Sequence, residues 1–474
     1  MKRLWDFNIE LSKTAKKAVY MQIADEIIAA IKNNRLKPQE VLPSTRTLAQ
    51  MIGVNRNTLI KAIDILIIEG WLVSKDRVGI FVADISVDVG RLKEPFPVSS
   101  PKYTKPIITI DDGVPNTKIA PMKELASAYR RVFSLKSRHN LLGYTSSQGS
   151  SKLRAIVAQM LNHKRGMQIE LDEICITRGS QMALYLTAQC LVTSKDSVLV
   201  EYPGYQPAWS AFQHAGAKIL PVNVDKEGVI IEEVEQMLKK HLNIKAIYVT
   251  PHHQYPTTVT LSLKRRLQLI ELAKNYDFKI IEDDYDHEFH FGNRPILPIA
   301  SYTNTNHYIY IGTFSKIVAP ALRIGYLVTN LDLVEKINAL REIIDIQNDS
   351  IMEQAIVELI KNGDIKRHIK RAIRYYKNKR LYLENLLNKY LKDKIIYDLP
   401  SGGLAFWIRP AQKINVSELI SKLEEQGIQI TDISKYSTDD STNGLRLGYG
   451  SIENELLETT IIKLSQLLSE PTVN

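Results

Sequence analysis

The sequence predicts a multidomain protein: a small, mostly helical N-terminal domain, then a large α/β domain that closes with a smaller α+β lobe. Three observations lead to this prediction. The 474 residues span roughly three typical domain lengths. Residues 1–82 show helical apolar periodicity, and the chain beyond residue 106 alternates strand and helix patterns. We therefore place domains at 1–82 and 107–474, with the smaller lobe at about 365–474.

Composition excludes several classes of protein. Hydrophobic residues make up 44% and charged residues 24% of the chain, which is typical of globular proteins and not of disordered or fibrous ones. No run approaches the roughly 18 consecutive apolar residues of a membrane span, and the first residues lack an apolar leader segment. Cys175 and Cys190 are the only cysteines, too few for a disulfide scaffold or a thiolate zinc site. We expect a cytoplasmic protein without a membrane segment.

The first 82 residues predict three helices followed by two short strands. Apolar residues recur every four positions from Ala15 to about Lys32, which indicates one helical face. Ser44 is a suitable N-cap for a short second helix, and Gly53 is suited to end it. Asn55 can cap a third helix, and Trp71–Val82 has the pattern of two strands joined by a turn. This order predicts a helix-turn-helix with a β-wing.

The third helix carries the side chains expected of a DNA reader. A recognition helix presents its first residues to base edges, and Arg and Asn make the bidentate contacts that read guanine and adenine. The candidates there are Asn55, Arg56, Asn57, Thr58 and Lys61. Arg46, on the second helix, could hold a phosphate or reach a base. Residues 1–82 also carry 13 Lys and Arg against 8 Asp and Glu, although an ordinary solvated surface would look similar.

The same segment resembles the winged helix-turn-helix of GntR-type regulators, over about 65 residues in register. The matching stretches are Leu36–Arg46, Gly53–Thr58 and Glu69–Trp71. The resemblance implies that Arg46, Arg56, Thr58 and the wing, which includes Gly79, contact DNA. One position departs from the family pattern, because Arg77 stands where the first of two wing glycines is expected.

A linker and a series of strand patterns follow. Four prolines between Pro95 and Pro106, with two serines among them, predict a partly extended linker over residues 83–106. Strands are predicted beyond it at Ile174–Thr177, Val198–Glu201, Ala246–Thr250, Lys279–Glu282 and Tyr308–Gly312. Because each has a helical pattern nearby, we expect a mostly parallel sheet covered on both faces. A basic helix from about Ile365, with strands near Gly403–Ile408 and Gly444–Gly448, predicts the smaller lobe.

Polar groups follow several of these strands. Ser180 and Gln181 begin a helix, where backbone N–H groups can hold a phosphate, although such residues also cap helices for structural reasons alone. Asp283 follows a strand at the end that faces the ligand in sheets of this kind. Asp286–His290 has the composition of a metal site, but no other histidine or cysteine group has matching spacing, so we predict no metal.

The sharpest pattern is Gly312–Lys316, which lies seven residues before Arg323. Thr313 and Ser315 with Arg323 would form a phosphate cup beside the amine of Lys316, and an amine can form an imine. A lone lysine is usually a solvated surface residue. This lysine follows an apolar strand and lies among small hydroxyl residues, which favours a functional role.

Together these patterns resemble fold-type I aminotransferases that use pyridoxal 5′-phosphate (PLP). The whole chain resembles the MocR/GabR subfamily, in which a GntR-type domain and a linker precede an aminotransferase-like domain. Further stretches that carry the resemblance are Gly143-Tyr144, Gln148-Gly149, Leu153-Arg154, Glu201–Tyr205, Thr250-Pro251, His253–Thr257 and Glu282–Asp286.

The resemblance assigns a role to each candidate residue. It implies that Lys316 forms the Schiff base with PLP and that Asp283 pairs with the pyridine nitrogen. It also implies that Tyr285 bonds the phenolic oxygen and that Tyr205 stacks on the ring. Phosphate contacts are implied for Ser180, Gln181, Thr313, Ser315 and Arg323. Arg446 occupies the place of the arginine that binds a substrate or effector carboxylate, although it could also be a strand arginine in a surface salt bridge.

Three positions depart from the subfamily pattern. Thr258 stands in place of a glycine after Pro256-Thr257, and Tyr255 stands where an asparagine often lies beside the ring oxygen. Pro207 occupies the position of an arginine in the branch that senses γ-aminobutyrate. We therefore expect an effector other than γ-aminobutyrate.

The predicted function is a PLP-dependent, DNA-binding transcriptional regulator that senses an amino compound, or PLP itself, and thereby changes the orientation of its domains. The resemblance implies a head-to-tail homodimer, which suits paired DNA half-sites. Two alternatives remain open. The chain could be a working aminotransferase that carries a DNA-binding domain, or a DNA-binding protein whose large domain has lost PLP and serves dimerisation.

Overall fold

The structure is a computed structural model that describes residues 11, 17–75, 78–84, 108–134, 138–292, 296–303, 306–438 and 442–469. Two compact units divide the chain, Met1–Lys102 and Tyr103–Asn474. The predicted linker and the predicted departure at Arg77 lie outside the described residues, apart from the linker's first two residues. No helix among the described residues combines the length and apolar character needed to cross a membrane.

The first unit is a three-helix domain with a β-ribbon. Its elements are α1 (Val19–Lys32), α2 (Thr45–Ile52), α3 (Arg56–Ile68), β1 (Leu72–Lys75) and β2 (Gly79–Val82). The side chain of Ser44 accepts a hydrogen bond from the backbone N–H of Thr47 and so caps α2, as predicted. Gly53 ends that helix with φ +72°, a conformation that favours glycine. The apolar faces of the three helices meet in one small core.

The second unit contains an eight-stranded sheet and a smaller lobe. Its helices are α4 (Met122–Ser134), α5 (Ser151–Arg165), α6 (Ser180–Leu191), α7 (Gln206–His214), α8 (Ile231–Lys240), α9 (Leu263–Tyr276), α10 (Leu331–Ile344), α11 (Ser350–Lys361), α12 (Asp364–Tyr390), α13 (Val416–Glu425) and α14 (Asn454–Leu467). Its strands are β3 (Ile108–Ile110), β4 (Ile174–Thr177), β5 (Ser197–Tyr202), β6 (Lys218–Asp225), β7 (Gly228–Val229), β8 (Ile244–Val249), β9 (Lys279–Asp283), β10 (Tyr308–Thr313), β11 (Gly325–Val328), β12 (Ile395–Tyr397), β13 (Ala405–Pro410), β14 (Ile428–Ile430) and β15 (Leu445–Gly448).

The large sheet is mostly parallel and covered on both faces, as the sequence predicts. Its strand order is β4-β11-β10-β9-β8-β5-β6-β7. Side chains of β10 alternate between two cores: Tyr308 and Tyr310 pack with residues of α4, α5 and α11, whereas Ile309 and Ile311 pack with residues of α6, α7 and α10. A strand buried on both faces reads as a continuous apolar run, which is why the sequence located the central strands so closely.

The smaller lobe draws on both ends of the second unit. Strands β12, β13 and β15 form an antiparallel sheet. Strand β14 pairs in parallel with β3, so that Ile108–Ile110 joins a lobe otherwise made from the last hundred residues. Strand β3 is only three residues long, which is too short for an apolar pattern to predict its pairing with β14. The domain limits given above stay a prediction.

Candidate functional site

The carboxyl ends of five strands meet at one edge of the large sheet. Strands β10, β9, β8 and β5 run parallel to one another. Strand β4 runs in the same direction, because β11 is antiparallel to both β10 and β4. In open α/β sheets the ligand crevice lies outside these ends. Segments that are more than a hundred residues apart in sequence therefore meet at this edge of the sheet.

A cavity of about 280 Å³ lies at this edge. Nine of the ten residues predicted to bind the cofactor or a carboxylate line it: Ser180, Tyr205, Asp283, Tyr285, Thr313, Ser315, Lys316, Arg323 and Arg446. Gln181 does not. Its amide donates to the backbone oxygen of Pro207 at 3.3 Å and it lines a neighbouring cavity. The location of these residues is thus known, while their roles remain predictions.

Lys316 places its amine inside the cavity. The residue lies three positions beyond the end of β10, and its Nζ donates a hydrogen bond to the backbone oxygen of Gly113 at 2.7 Å. Burial lowers the pKa of this amine below its usual range, while the nearby Asp112 carboxylate acts in the opposite direction. A lowered pKa increases the neutral fraction, and the neutral amine is the nucleophile.

Asp283 ends β9 with a carboxylate that is only half satisfied. The hydroxyl of Tyr248 donates to Oδ2 at 2.9 Å. The other oxygen, Oδ1, is buried and has no hydrogen-bond partner within the described part of the chain. Burial raises the pKa of this carboxyl to about 7. Because a buried carboxylate without a full set of partners is costly, Asp283 is ready to accept a donor from a ligand in the cavity.

A second group of polar atoms lies around the N-terminus of α6. Gly179 precedes the helix with φ +80°, and a Cβ there would lie 2.8 Å from Nη2 of Arg323. Arg323 is exposed, and its Nη2 donates to the backbone oxygen of Arg178 at 3.1 Å. The hydroxyl of Ser315 is buried and has no partner among the described residues. Backbone N–H groups, a guanidinium and an unsatisfied hydroxyl make this part of the cavity suitable for an anion.

Arg446 is buried, which excludes the surface salt bridge considered for it. Its Nε donates to the backbone oxygen of Asp112 and its Nη1 to that of Pro256, each at 2.7 Å. The guanidinium lies 4.7 Å from the ring centre of Tyr255. The hydroxyl of Tyr285 donates to the backbone oxygen of His253 at 2.9 Å. The chain itself thus holds the Arg446 and Tyr285 side chains in position.

Several lining residues escaped the sequence analysis. Tyr248 lies within the apolar run of β8, where an aromatic residue looks like ordinary core. Asp112 follows β3, and its Oδ2 accepts a hydrogen bond from Tyr255 at 2.9 Å. Thr250 follows β8 directly; the sequence analysis named it within the Thr250-Pro251 stretch of the resemblance but gave it no role in the site. Within the described ranges, no group of three or more His, Cys, Asp or Glu side chains could hold a metal ion.

The first unit carries the residues that the sequence predicts to contact DNA. Arg56, Asn57 and Lys61 are exposed on α3, and Arg46 is exposed on α2. Thr58 is half-buried. The remaining two act locally: the Asn55 side chain accepts a hydrogen bond from the backbone of Asn57 at 2.9 Å and caps α3, and Gly79 begins β2 with φ +141°.

The comparisons with known proteins agree with this division. Residues 19–82 match the gntR family of bacterial regulatory proteins, and residues 110–464 match aminotransferase class I and II. The second match covers well over half of the chain. The chain belongs to the MocR/GabR-type regulators. As in other members, a gntR-family DNA-binding domain precedes an aminotransferase domain.

Full-length relatives share both parts of this regulator. The probable rhizopine catabolism regulatory protein MocR of Rhizobium meliloti is 27% identical over 96% of this chain and 94% of its own. The pyridoxine biosynthesis transcriptional regulator PdxR of Corynebacterium glutamicum is 26% identical over 98% and 99%. Among solved structures, Pyrococcus horikoshii kynurenine aminotransferase matches with a TM-score of 0.73 and 26% identity, over 77% of this chain and 91% of that one.

The cofactor of this fold family is PLP, and the residues of the cavity fit it. PLP carries a ring nitrogen, an aldehyde and a phosphate. The cavity offers the unsatisfied Asp283 oxygen, the Lys316 amine, and the anion-binding group around Ser315. Each chemical feature of the cofactor therefore finds a complementary group.

Proposed function

We propose that this regulator carries PLP on Lys316 and couples the binding of an amino compound, or of PLP itself, to its affinity for DNA. The observation that carries the proposal is the arrangement of the Lys316 amine and the half-satisfied Asp283 carboxylate in one cavity of a chain with a DNA-binding domain. The name of the PdxR relative, a regulator of pyridoxine biosynthesis, supports PLP as one candidate signal.

When bound, PLP supplies an electrophilic aldehyde and an electron-accepting ring. Lys316 contributes the amine that holds the aldehyde. Asp283 would accept a hydrogen bond from the protonated ring nitrogen and keep that nitrogen charged. Ser180, Thr313, Ser315 and Arg323 would hold the phosphate, Tyr285 would hydrogen-bond the phenolic oxygen, and Tyr205 would stack on the ring. Gln181, which the sequence predicted as a further phosphate contact, lines the neighbouring cavity. Arg446 binds the carboxylate of an effector, provided that the effector has one.

The assembly we propose is a head-to-tail homodimer, with its two DNA-binding domains on paired half-sites. A two-fold symmetric dimer matches a palindromic operator, so that half-site spacing reflects dimer geometry. The effector changes the orientation of the domains and hence the affinity for the paired sites. Sedimentation of the PLP-loaded chain measures the assembly directly, and a monomer at all concentrations would contradict it.

The test is a visible absorbance titration of the PLP-loaded protein with a panel of amino acids and amines, run beside a DNA-binding assay. A sensor responds to one compound with a stable spectral change and a change in DNA affinity, without releasing a keto acid. If no compound alters the spectrum but PLP loading itself alters DNA affinity, PLP is the signal. If neither treatment changes DNA affinity, the proposal is wrong.

A second candidate function is transamination. It is favoured by one observation: Lys316, Asp283 and Arg446, which a transaminase would need, all line the same cavity. Turnover distinguishes the two candidates, because an aminotransferase releases one keto acid per cycle and is reloaded by a second substrate. Sustained keto acid production with two substrates would establish catalysis, and a single stoichiometric change would exclude it.

A further inference from the structure

Helix α12 concentrates positive charge to an unusual degree. Its 27 residues hold nine Lys and Arg against two Asp and Glu, a net charge of +7, while the whole chain carries +10. Residues 1–82, the predicted DNA-binding domain, carry +5. The proposed cofactor site does not use any of these cations.

Four of these cations form a continuous exposed surface. Lys366, Lys370, Arg374 and Lys377 are exposed, and we call them the basic ridge. At 100° per residue they lie within about 80° of arc, on one face of the helix. The opposite face, which includes Ala372 and Tyr376, packs into the core of the smaller lobe. The ridge therefore points to solvent along roughly 16 Å of helix.

The chain does not neutralise this ridge. Arg367 and Arg371, beside it, form ion pairs with Asp364 at 2.5 Å and Glu124 at 3.2 Å. The buried Arg380 donates to the backbone oxygen of Pro400 at 2.6 Å. The four ridge residues form no ion pair within the described ranges. Like charges four residues apart destabilise a helix, so an external anion would relieve a repulsion that the fold leaves in place.

We propose that the basic ridge binds the phosphate backbone of duplex DNA, as a second contact beyond the gntR-family domain. One strand of duplex DNA presents a phosphate about every 3.4 Å along the axis, so the ridge faces about five phosphates. Phosphate oxygens accept most of the hydrogen bonds that proteins make to DNA, and Lys and Arg are among their usual donors. The contact adds affinity without sequence preference.

A lipid surface fits the ridge less well. Helices that lie on membranes pair a basic face with an exposed apolar face, which enters the bilayer. The apolar face of α12, with Tyr376 and Leu383, is buried in the protein's own core. DNA is already the partner of this chain through residues 19–82, and a linear row of cations matches a linear polyanion.

The experiment measures the salt dependence of binding by the full-length, PLP-loaded chain to a random-sequence duplex. A duplex of about 60 base pairs offers many phosphates and no operator, so it isolates the contribution of backbone contacts. The ridge variant is Lys366→Gln, Lys370→Gln, Arg374→Gln and Lys377→Gln. The matched control is Lys240→Gln, Lys245→Gln, Lys264→Gln and Lys274→Gln, four exposed lysines of the same unit that also lack ion pairs among the described residues.

The ridge variant is expected to make the negative slope of log affinity against log salt concentration shallower by up to about 3.6, since each phosphate contact contributes roughly −0.9. The control is expected to leave the slope within about 0.5 of the parent value. A charge-preserving variant, Lys366→Arg, Lys370→Arg and Lys377→Arg, should keep the parent slope. An unchanged slope in the ridge variant, or an equal fall in the control, would overturn the proposal.

The assembly state provides the remaining check. Sedimentation should give the ridge variant the same mass as the parent chain, because the substituted side chains are exposed. If the variant loses both its salt slope and its parent assembly, the ridge is a protein–protein contact and the proposal is wrong. Circular dichroism confirms that the variant is folded before either measurement is interpreted.

Discussion

The two units of this regulator build their functional surfaces in opposite ways. The first unit presents exposed side chains on consecutive turns of one short helix, so that Arg56, Asn57 and Lys61 are neighbours in both sequence and space. The second unit gathers its cavity from segments between Asp112 and Arg446. Most of the predicted DNA-contacting side chains of the first unit are exposed, whereas most side chains that line the cavity of the second unit are buried or half-buried.

This difference predicts how substitutions behave in each unit. A residue exposed on a helix can be changed at little cost to folding. A buried polar residue held by the fold cannot be changed without altering stability as well. Substitutions at Lys316, Asp283, Arg56 and Thr258 test this contrast, from the largest expected effect to the smallest.

Lys316→Ala should abolish covalent attachment of PLP, because no other lysine among the described residues lines the cavity. Borohydride reduction followed by mass spectrometry measures the loss. Lys274→Ala, an exposed lysine of the same unit, is the control and should retain the full adduct. A trapped adduct of undiminished yield in the Lys316 variant would show that the lysine is misassigned.

Asp283→Asn should weaken PLP binding and stabilise the cofactor-free protein at the same time. Burial raises the pKa of Asp283 to about 7 in the folded chain, above its unfolded value of about 3.9. The carboxyl therefore favours folding below pH 4 and loses that contribution as the pH rises through 7. At pH 8 the substitution should raise the free energy of unfolding by about 2 to 4 kcal/mol, and below pH 4 by almost nothing.

Denaturant unfolding of the cofactor-free protein at pH 4 and pH 8 measures this effect. Asp277→Asn is the control, since Asp277 is an exposed carboxylate at the end of α9 and should change neither stability nor PLP affinity appreciably. An Asp283→Asn protein that is less stable at pH 8, or that binds PLP as tightly as the parent, would break the contrast between the two units.

Arg56→Ala should weaken DNA binding by about 1 to 3 kcal/mol, the usual cost of removing a bidentate base contact. Because the side chain is exposed, the unfolding midpoint should not change. Binding to the operator at fixed salt is compared with that of Arg35→Ala, an exposed arginine of the same unit that lies outside α3. If Arg56→Ala lowered the free energy of unfolding as much as it weakened DNA binding, Arg56 would behave like the buried residues of the cavity, and the contrast between the two units would fail.

Thr258→Gly should stabilise the protein by about 1 kcal/mol or less, because Thr258 has φ +63°, which is unfavourable for a β-branched residue. Thr257→Gly is the matched control. Its hydroxyl donates to Oε1 of Gln254 at 2.6 Å, so that substitution should destabilise the protein. The measurement is the thermal unfolding temperature of both variants. A lower unfolding temperature for Thr258→Gly than for the parent would show that the positive φ of Thr258 costs the parent chain no stability.

Much of the fold could be predicted because the informative patterns are local. The apolar runs of β4, β9 and β10 located these three strands of the large sheet to within a residue at each end. The caps at Ser44 and Asn55 followed from side-chain chemistry alone. Strand β6, by contrast, escaped prediction because it alternates exposed and buried residues and contains Pro221.

The sequence by itself determined the order of the units and their family, and it predicted Lys316 as the reactive lysine, because each depends on residues that are close in the chain. Only the tertiary structure decided which groups meet. It placed the hydroxyl of Tyr248 on Asp283 and the carboxylate of Asp112 beside Tyr255, and it left four cations of α12 exposed on one face. These outcomes depend on strand order and helix packing, which bring together distant residues whose sequence neighbours give no sign of the contact.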